Sequence, residues 1–323
     1  MRRRTMIAAA LAALPAHLAT APAGGQSWPT RPLRMIVPFP PGGVTDVVAR
    51  AIAKHMGDDL GQPVIIDNKP GAGGRVGTEA AAKAPADGYT LLLMTSGTHA
   101  ILPAIDPKLP YDAEADFVPV ALLMETPFVL HVHPSVPARN VAEFVALAKA
   151  KPGALNYGSA GTGTAHHMFF ELFKAAAAID VTHVPYRGEA PAANELIAGQ
   201  VQALMLPGGK QYADSGKTRA LATTGARRWF IMPDVPGLAE AGFAGAVARG
   251  WSGLMVPART PAEVVTRLNK AANDALASDD VRKLMHEQGY ETLGGTPAEL
   301  SDWIRRDIAT WRALVKNAGL KFD

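Results

Sequence analysis

Leu33-Arg34-Met35-Ile36-Val37-Pro38-Phe39-Pro40-Pro41-Gly42-Gly43-Val44-Thr45-Asp46 decides the fold. Its first five residues are a short apolar run bounded by prolines, the pattern of a buried strand in an α/β sheet. Gly42 and Gly43 remove two Cβ atoms, so the backbone can turn tightly and a small molecule can approach it. The helix that follows begins with N–H groups that lack intrahelical partners, at the positive end of its dipole. A strand, a glycine turn and a helix N-terminus together form an anion site without any Lys or Arg. Two readings of the stretch stand side by side: a turn that holds a carboxylate ligand, and a tight turn with no ligand.

Composition narrows the class. The chain has 323 residues, 48% apolar and 19% charged, enough for two domains with a sizeable core. Residues 1–23 read as an export leader: Arg2-Arg3-Arg4, an apolar segment over 6–14 too short to span a bilayer, and Ala21-Pro22-Ala23 as a cleavage pattern. The alternative is a short membrane anchor. Arg3-Arg4-Thr5-Met6-Ile7 loosely resembles a twin-arginine signal, and both the Sec and Tat routes stay open. The formal net charge of +3 falls to zero without the three Arg of this leader, which has no Asp or Glu. Net charge therefore gives no argument for nucleic-acid or membrane-surface binding. No later stretch is apolar for about 18 residues, so no membrane-spanning helix is expected. There is no Cys, which excludes disulfides, thiolate metal sites and a Cys nucleophile.

Short buried strands alternate with helices along the chain, as in a parallel sheet flanked by helices. A helix is expected over 44–60, with Val47, Val48, Ala51, Ile52 and Met56 near one face. Strands are expected at 63–67 and 90–94, and helices over 75–84, 140–151, 166–178 and 191–198. The apolar run 118–132, broken by Pro119 and Pro127, reads as the chain crossing into a second domain. There, Gly158-Ser159-Ala160-Gly161-Thr162-Gly163-Thr164 is another glycine-rich turn between a strand and a helix. Residues 251–257 read as a returning strand, and three helices close the chain. Thr260-Pro261 and Thr296-Pro297 look like N-caps followed by Pro. Two α/β domains joined by two crossings suggest a hinged clamp, with ligand at the carboxyl ends of the strands.

Several catalytic patterns fail. Gly71-Ala72-Gly73-Gly74-Arg75-Val76-Gly77 misplaces the third glycine of a dinucleotide fingerprint. Tyr157-Gly158-Ser159-Ala160-Gly161 has Tyr where a nucleophile elbow needs Gly, which argues against an exported hydrolase using Ser159. His131 and His133 share a strand face, as metal ligands could, but read better as partly exposed polar positions. His166-His167 reads as capping or packing, although one of the pair could edge the cleft. Arg187, after Tyr186, could contact an anion or rim the cleft; the alternative is a solvated ion pair. Trp251 reads as a hinge anchor rather than a stacking group.

The chain resembles the Bug-type receptors of tripartite tricarboxylate transporters. The resemblance rests on Val37-Pro38-Phe39-Pro40-Pro41-Gly42-Gly43 with Asp46 and Arg50, Asn68-Lys69-Pro70-Gly71-Ala72-Gly73-Gly74, and Asp87-Gly88-Tyr89-Thr90-Leu91-Leu92. It continues in Asn156-Tyr157-Gly158-Ser159-Ala160-Gly161, Val184-Pro185-Tyr186-Arg187-Gly188 and Trp251-Ser252-Gly253-Leu254. These pieces run in collinear order over nearly the whole mature chain. The resemblance implies a type II-like, two-lobed periplasmic binding protein without enzymatic activity, each lobe a mainly parallel sheet flanked by helices. Lobe 1 would take residues 24–126 plus 250–323, and lobe 2 residues 127–249.

By the same resemblance, a small dicarboxylate, tricarboxylate, aromatic acid or acidic amino acid would be gripped by two loops. Site residues carried over are Phe39, Gly42, Gly43, Thr45 and Asp46 in one loop, and Ser159, Ala160, Gly161, Thr162 and Thr164 in the other. Thr95, Ser96 and Gly97 would line the cleft floor, with Tyr186 and Arg187 beside it. No cofactor, metal or nucleic acid is expected. The partners would be a small carboxylate and membrane transporter subunits, and the protein a periplasmic monomer; a sensor without a transporter is the alternative. Val44 stands where a third small residue is common, and Met205-Leu206-Pro207-Gly208-Gly209-Lys210 departs from the family's usual segment.

Overall fold

The structure is a computed structural model that describes residues 28–317 and 319–320. The expected leader at 1–23 lies outside the described residues. The chain first builds β1 (Leu33–Val37), α1 (Val44–Leu60), β2 (Val64–Asn68), α2 (Arg75–Ala82), β3 (Thr90–Thr95), α3 (Leu102–Ile105) and β4 (Phe117–Thr126). Met35, Ile36 and Val37 are fully buried, as their unbroken apolar run requires. Helix α1 buries Val48, Ala49, Ile52, Ala53 and Met56 at helical spacing and ends on Gly61 in the left-handed region. Its buried face is rotated from the expected one, because Val47 is exposed and Ala51 only half-buried.

The second half comprises β5 (Phe128–Val132), α4 (Val141–Ala150), β6 (Asn156–Ser159), α5 (Ala165–Ala177), β7 (Thr182–Pro185), α6 (Glu189–Ile197), β8 (Ala203–Pro207), α7 (Lys210–Asp214) and β9 (Arg219–Thr223). The chain then returns through β10 (Gly250–Pro257), α8 (Ala262–Ala277), α9 (Asp279–Gln288), β11 (Glu291–Thr292) and α10 (Pro297–Asn317). Thr296 and Glu299 form a reciprocal capping box at the start of α10. Thr260 does not cap α8 as expected: its hydroxyl donates to the carbonyl of Pro257 instead.

Two sheets result, with strand orders β11-β4-β10-β3-β1-β2 and β7-β6-β8-β5-β9. Both are mixed, a correction to the expectation of mainly parallel sheets. The βαβ units supply the parallel pairs β1 with β2 and β3, and β6 with β7 and β8. The strands at the crossings enter from the opposite end, so β10 runs antiparallel to β3 and β4, and β5 antiparallel to β8 and β9. Pro127 separates β4 from β5, and Gly250 pairs with Thr126 across the crossing. One apolar cluster runs through the junction: Phe128 packs on Phe169 of α5, which stacks on Trp311 of α10 with ring centroids 5.7 Å apart.

Candidate ligand-binding site

The two glycine-rich turns face one cavity between the lobes. Gly43 is the N-cap of α1 and Thr164 the N-cap of α5; both have extended backbones, and neither has a side-chain capping bond. The Asp46 N–H turns back to the Gly43 carbonyl at 3.1 Å, and the N–H groups that open the two helices are left for another acceptor. From the end of β3, Thr95, Ser96 and Gly97 form the floor. Gly97 faces the start of α5: a Cβ there would stand in ordinary contact, 3.7 Å from the backbone N of Ala165.

The cavity encloses about 80 Å³, several times the roughly 10–15 Å³ that one water needs. Phe39, Pro40, Met124, Phe128, Pro207 and Trp251 give it a mainly apolar wall. Its polar groups are Thr45, Thr95, Ser96, Thr126, Thr164, His166, Glu189 and Ser252; no Lys or Arg lines it among the described residues. An anion here would be met by helix N-termini, hydroxyls and an imidazole rather than by a fixed cation. The Ser252 hydroxyl and both ring nitrogens of His166 are buried without a hydrogen-bond partner. Buried polar atoms are rarely left so in a protein interior, and these three sit on the cavity wall.

Of the residues expected from sequence, Phe39, Gly43, Thr45, Thr95, Ser96, Gly97, Ala160 and Thr164 line this cavity. Gly42 and Asp46 do not. The Asp46 carboxylate accepts from the N–H of Gly42 at 3.0 Å, from Arg50 Nε at 2.9 Å and from Asn68 Nδ2 at 3.0 Å. Burial alone would raise its pKa, but the bonds from Arg50, Gly42 and Asn68 together hold it below the usual carboxylate value. Asp46 thus shapes the turn from behind. Ser159 is fully buried and bonded to His183 Nε2 at 2.7 Å and to the N–H of Gly161 at 3.1 Å. That Ser–His pair was not foreseen, but it has no access to the cavity and its imidazole lies under His167 at 4.0 Å.

Gly161, Thr162, Tyr186 and Arg187 line a second, more open hollow at the lip, opposite residues 70–75. There the lobes touch closely. A Cβ on Gly73, whose φ is +68°, would fall 2.6 Å from the carbonyl O of Thr162. A Cβ on Gly188, φ +136°, would fall 2.8 Å from Pro40 Cγ. Arg187 is exposed on this lip, away from the cavity.

Sequence reasoning missed Glu189 and Ser252; for the His166-His167 pair it favoured capping or packing while allowing that one could edge the cleft, and His166 lines the cavity. His166 had one usable signal, its place at the start of the helix after the second turn. Its neighbour His167 turns inward, where its Nδ1 accepts from the N–H of Gly163 at 3.1 Å and burial lowers its pKa to about 4. Trp251 both lines the cavity and anchors the crossing, donating from Nε1 to Asp307 at 2.7 Å. His131, expected to be partly exposed, is fully buried between Thr218 Oγ1 and the Gly208 carbonyl. Pro207, from the divergent segment, reaches the cavity wall.

Two α/β lobes joined by crossing strands, with an enclosed cavity between facing helix N-termini, define a two-lobed solute-binding receptor. Residues 48–320 match the family described as Tripartite tricarboxylate transporter family receptor, and the chain belongs to that family. Protein BugT of Bordetella pertussis is 37% identical over 304 residues, covering 93% of each chain. A Rhodopseudomonas palustris protein, Rpa4515, solved with adipate, superposes with a TM-score of 0.88 at 36% identity, over 91% of this chain and 99% of that one. MatC of the same organism, solved with bound malate, gives a TM-score of 0.86 at 34% identity, over 89% and 100%.

Proposed function

We propose that this chain is a periplasmic receptor that captures a small carboxylate between its lobes and hands it to the membrane subunits of a tripartite transporter. It acts as a monomer and performs no covalent chemistry. The observation that supports this best is the pair of uncapped N-termini, α1 at Gly43 and α5 at Thr164, opening on one cavity. The adipate and malate bound by relatives of similar fold point to the same ligand class. The hinge lies at residues 126–127 and 249–250, so that residues 24–126 plus 250–323 move against 127–249. Ligand bridging both lobes stabilises the closed form by its greater affinity for that form.

Thermal unfolding of the purified mature protein against a carboxylate panel tests the reading. A bound carboxylate at 100 times its Kd adds about 2.7 kcal/mol of stability and raises the transition. Shifts produced by sugars or cations, with none by carboxylates, would overturn it.

A further inference from the structure

Glu189 puts a carboxylate into a cavity built to receive one. It is the first residue of α6, and it lines the cavity together with Thr45, Thr164 and His166. A Cβ on Gly43 would lie 3.9 Å from Glu189 Cβ, so the acid from lobe 2 stands directly against the α1 turn. The one ion-pair contact it makes among the described residues is with the His166 ring, whose Nε2 is 3.5 Å from Glu189 Oε2. That separation is too long for a good hydrogen bond, and both His166 ring nitrogens remain without one although the residue is only 8% exposed. Among the described residues, no Lys or Arg on the cavity wall neutralises Glu189.

A ligand with two carboxylates would bring its second negative charge against Glu189 inside a largely apolar enclosure, where like charges repel strongly. A ligand with a carboxylate at one end and an ammonium at the other meets complementary groups at both ends. The helix N-termini and hydroxyls take the carboxylate, and Glu189 takes the ammonium by a charge-assisted hydrogen bond. We propose that the ligand of this receptor is a small amino carboxylate whose ammonium is held by Glu189, and that Glu189 excludes plain dicarboxylates. The inference rests on the carboxylate reading above and selects within it.

Titration calorimetry with three probes of equal chain length tests it: 4-aminobutanoate, succinate and butanoate. The expected result is that 4-aminobutanoate binds at least about tenfold more tightly than either of the others. In Glu189→Gln the affinity for 4-aminobutanoate falls by at least about tenfold and that for succinate rises, while the ligand-free unfolding midpoint stays near that of the parent. Succinate or butanoate binding as tightly as 4-aminobutanoate to the parent protein would overturn the role of Glu189 and leave the carboxylate reading standing. Binding of none of the three would count against both.

Discussion

Phe128 and Thr224 exchange two hydrogen bonds at the crossing between the lobes: Phe128 N–H donates to Thr224 Oγ1 at 2.9 Å, and Thr224 N–H donates to the Phe128 carbonyl at 2.7 Å. The Thr224 hydroxyl then donates to the carbonyl of Ala248 at 2.7 Å. One buried side chain therefore ties the outgoing strand to the segment that leads back.

Thr224→Val keeps the shape and removes the hydroxyl, stranding the N–H of Phe128 and the carbonyl of Ala248. A stability loss of about 1–3 kcal/mol is expected, read as a lower urea midpoint. An unchanged midpoint would show that the crossing does not depend on this bond.

Asp46 should matter for the turn rather than for direct ligand contact. Asp46→Ala strands the N–H of Gly42 and releases Arg50 and Asn68, at a cost of about 1–3 kcal/mol for the broken network. Asp46→Asn should recover part of that stability and most of the ligand affinity, because an amide oxygen can still accept from Gly42. Calorimetry and urea unfolding of the two variants separate the effects.

Gly73 of lobe 1 lies against the carbonyl of Thr162 in lobe 2, where a Cβ would fall 2.6 Å from the oxygen. Gly73→Ala should destabilise the ligand-free protein by about 1–2 kcal/mol, from the left-handed φ alone. Its Cβ cannot coexist with that carbonyl, so the lobes must part, and carboxylate affinity should drop at least about tenfold. Parent-like affinity with a parent-like scattering profile would rule out this contact as part of closure.

Stability should fall on mild acidification. Burial lowers the pKa of His99 to about 3 and, with the Gly208 carbonyl opposing, that of His131 to about 4. The native state keeps these rings neutral, whereas the unfolded chain protonates them below its ordinary value of about 6.5. Unfolding then takes up protons, so their contribution is fully present above about pH 6.5 and is lost as pH drops toward 4, each ring giving up to about 1.4 kcal/mol per pH unit. Urea unfolding from pH 8 to 4.5 should show a plateau followed by a decline; a flat profile would contradict the buried neutral assignment.

The frame of this site was legible because local patterns specify it. The 33–46 stretch carries its strand, its turn and its helix start within consecutive residues, and the turn at 158–164 repeats the device. What the sequence hid depends on neighbours far along the chain. Asp46 and Ser159 fall in the right turns, yet Arg50 with Asn68, and His183, hold their side chains away from the cavity. Glu189 and Ser252 sit in ordinary helix-start and strand contexts, and only the meeting of α6 and β10 with the α1 turn makes them cavity residues. The mixed sheets escaped for a related reason: a buried apolar run such as β10 reads the same in either direction.

The central claim is that a ligand carboxylate sits between the N-termini of α1 and α5. The crystal structure of the protein with a carboxylate it binds tests this most directly. The account predicts carboxylate oxygens roughly 2.7–3.2 Å from first-turn backbone N–H groups of both helices, near Thr45 and Ala165. A carboxylate found instead on Arg187 at the outer lip, or held by one lobe alone with the cavity unused, would contradict it.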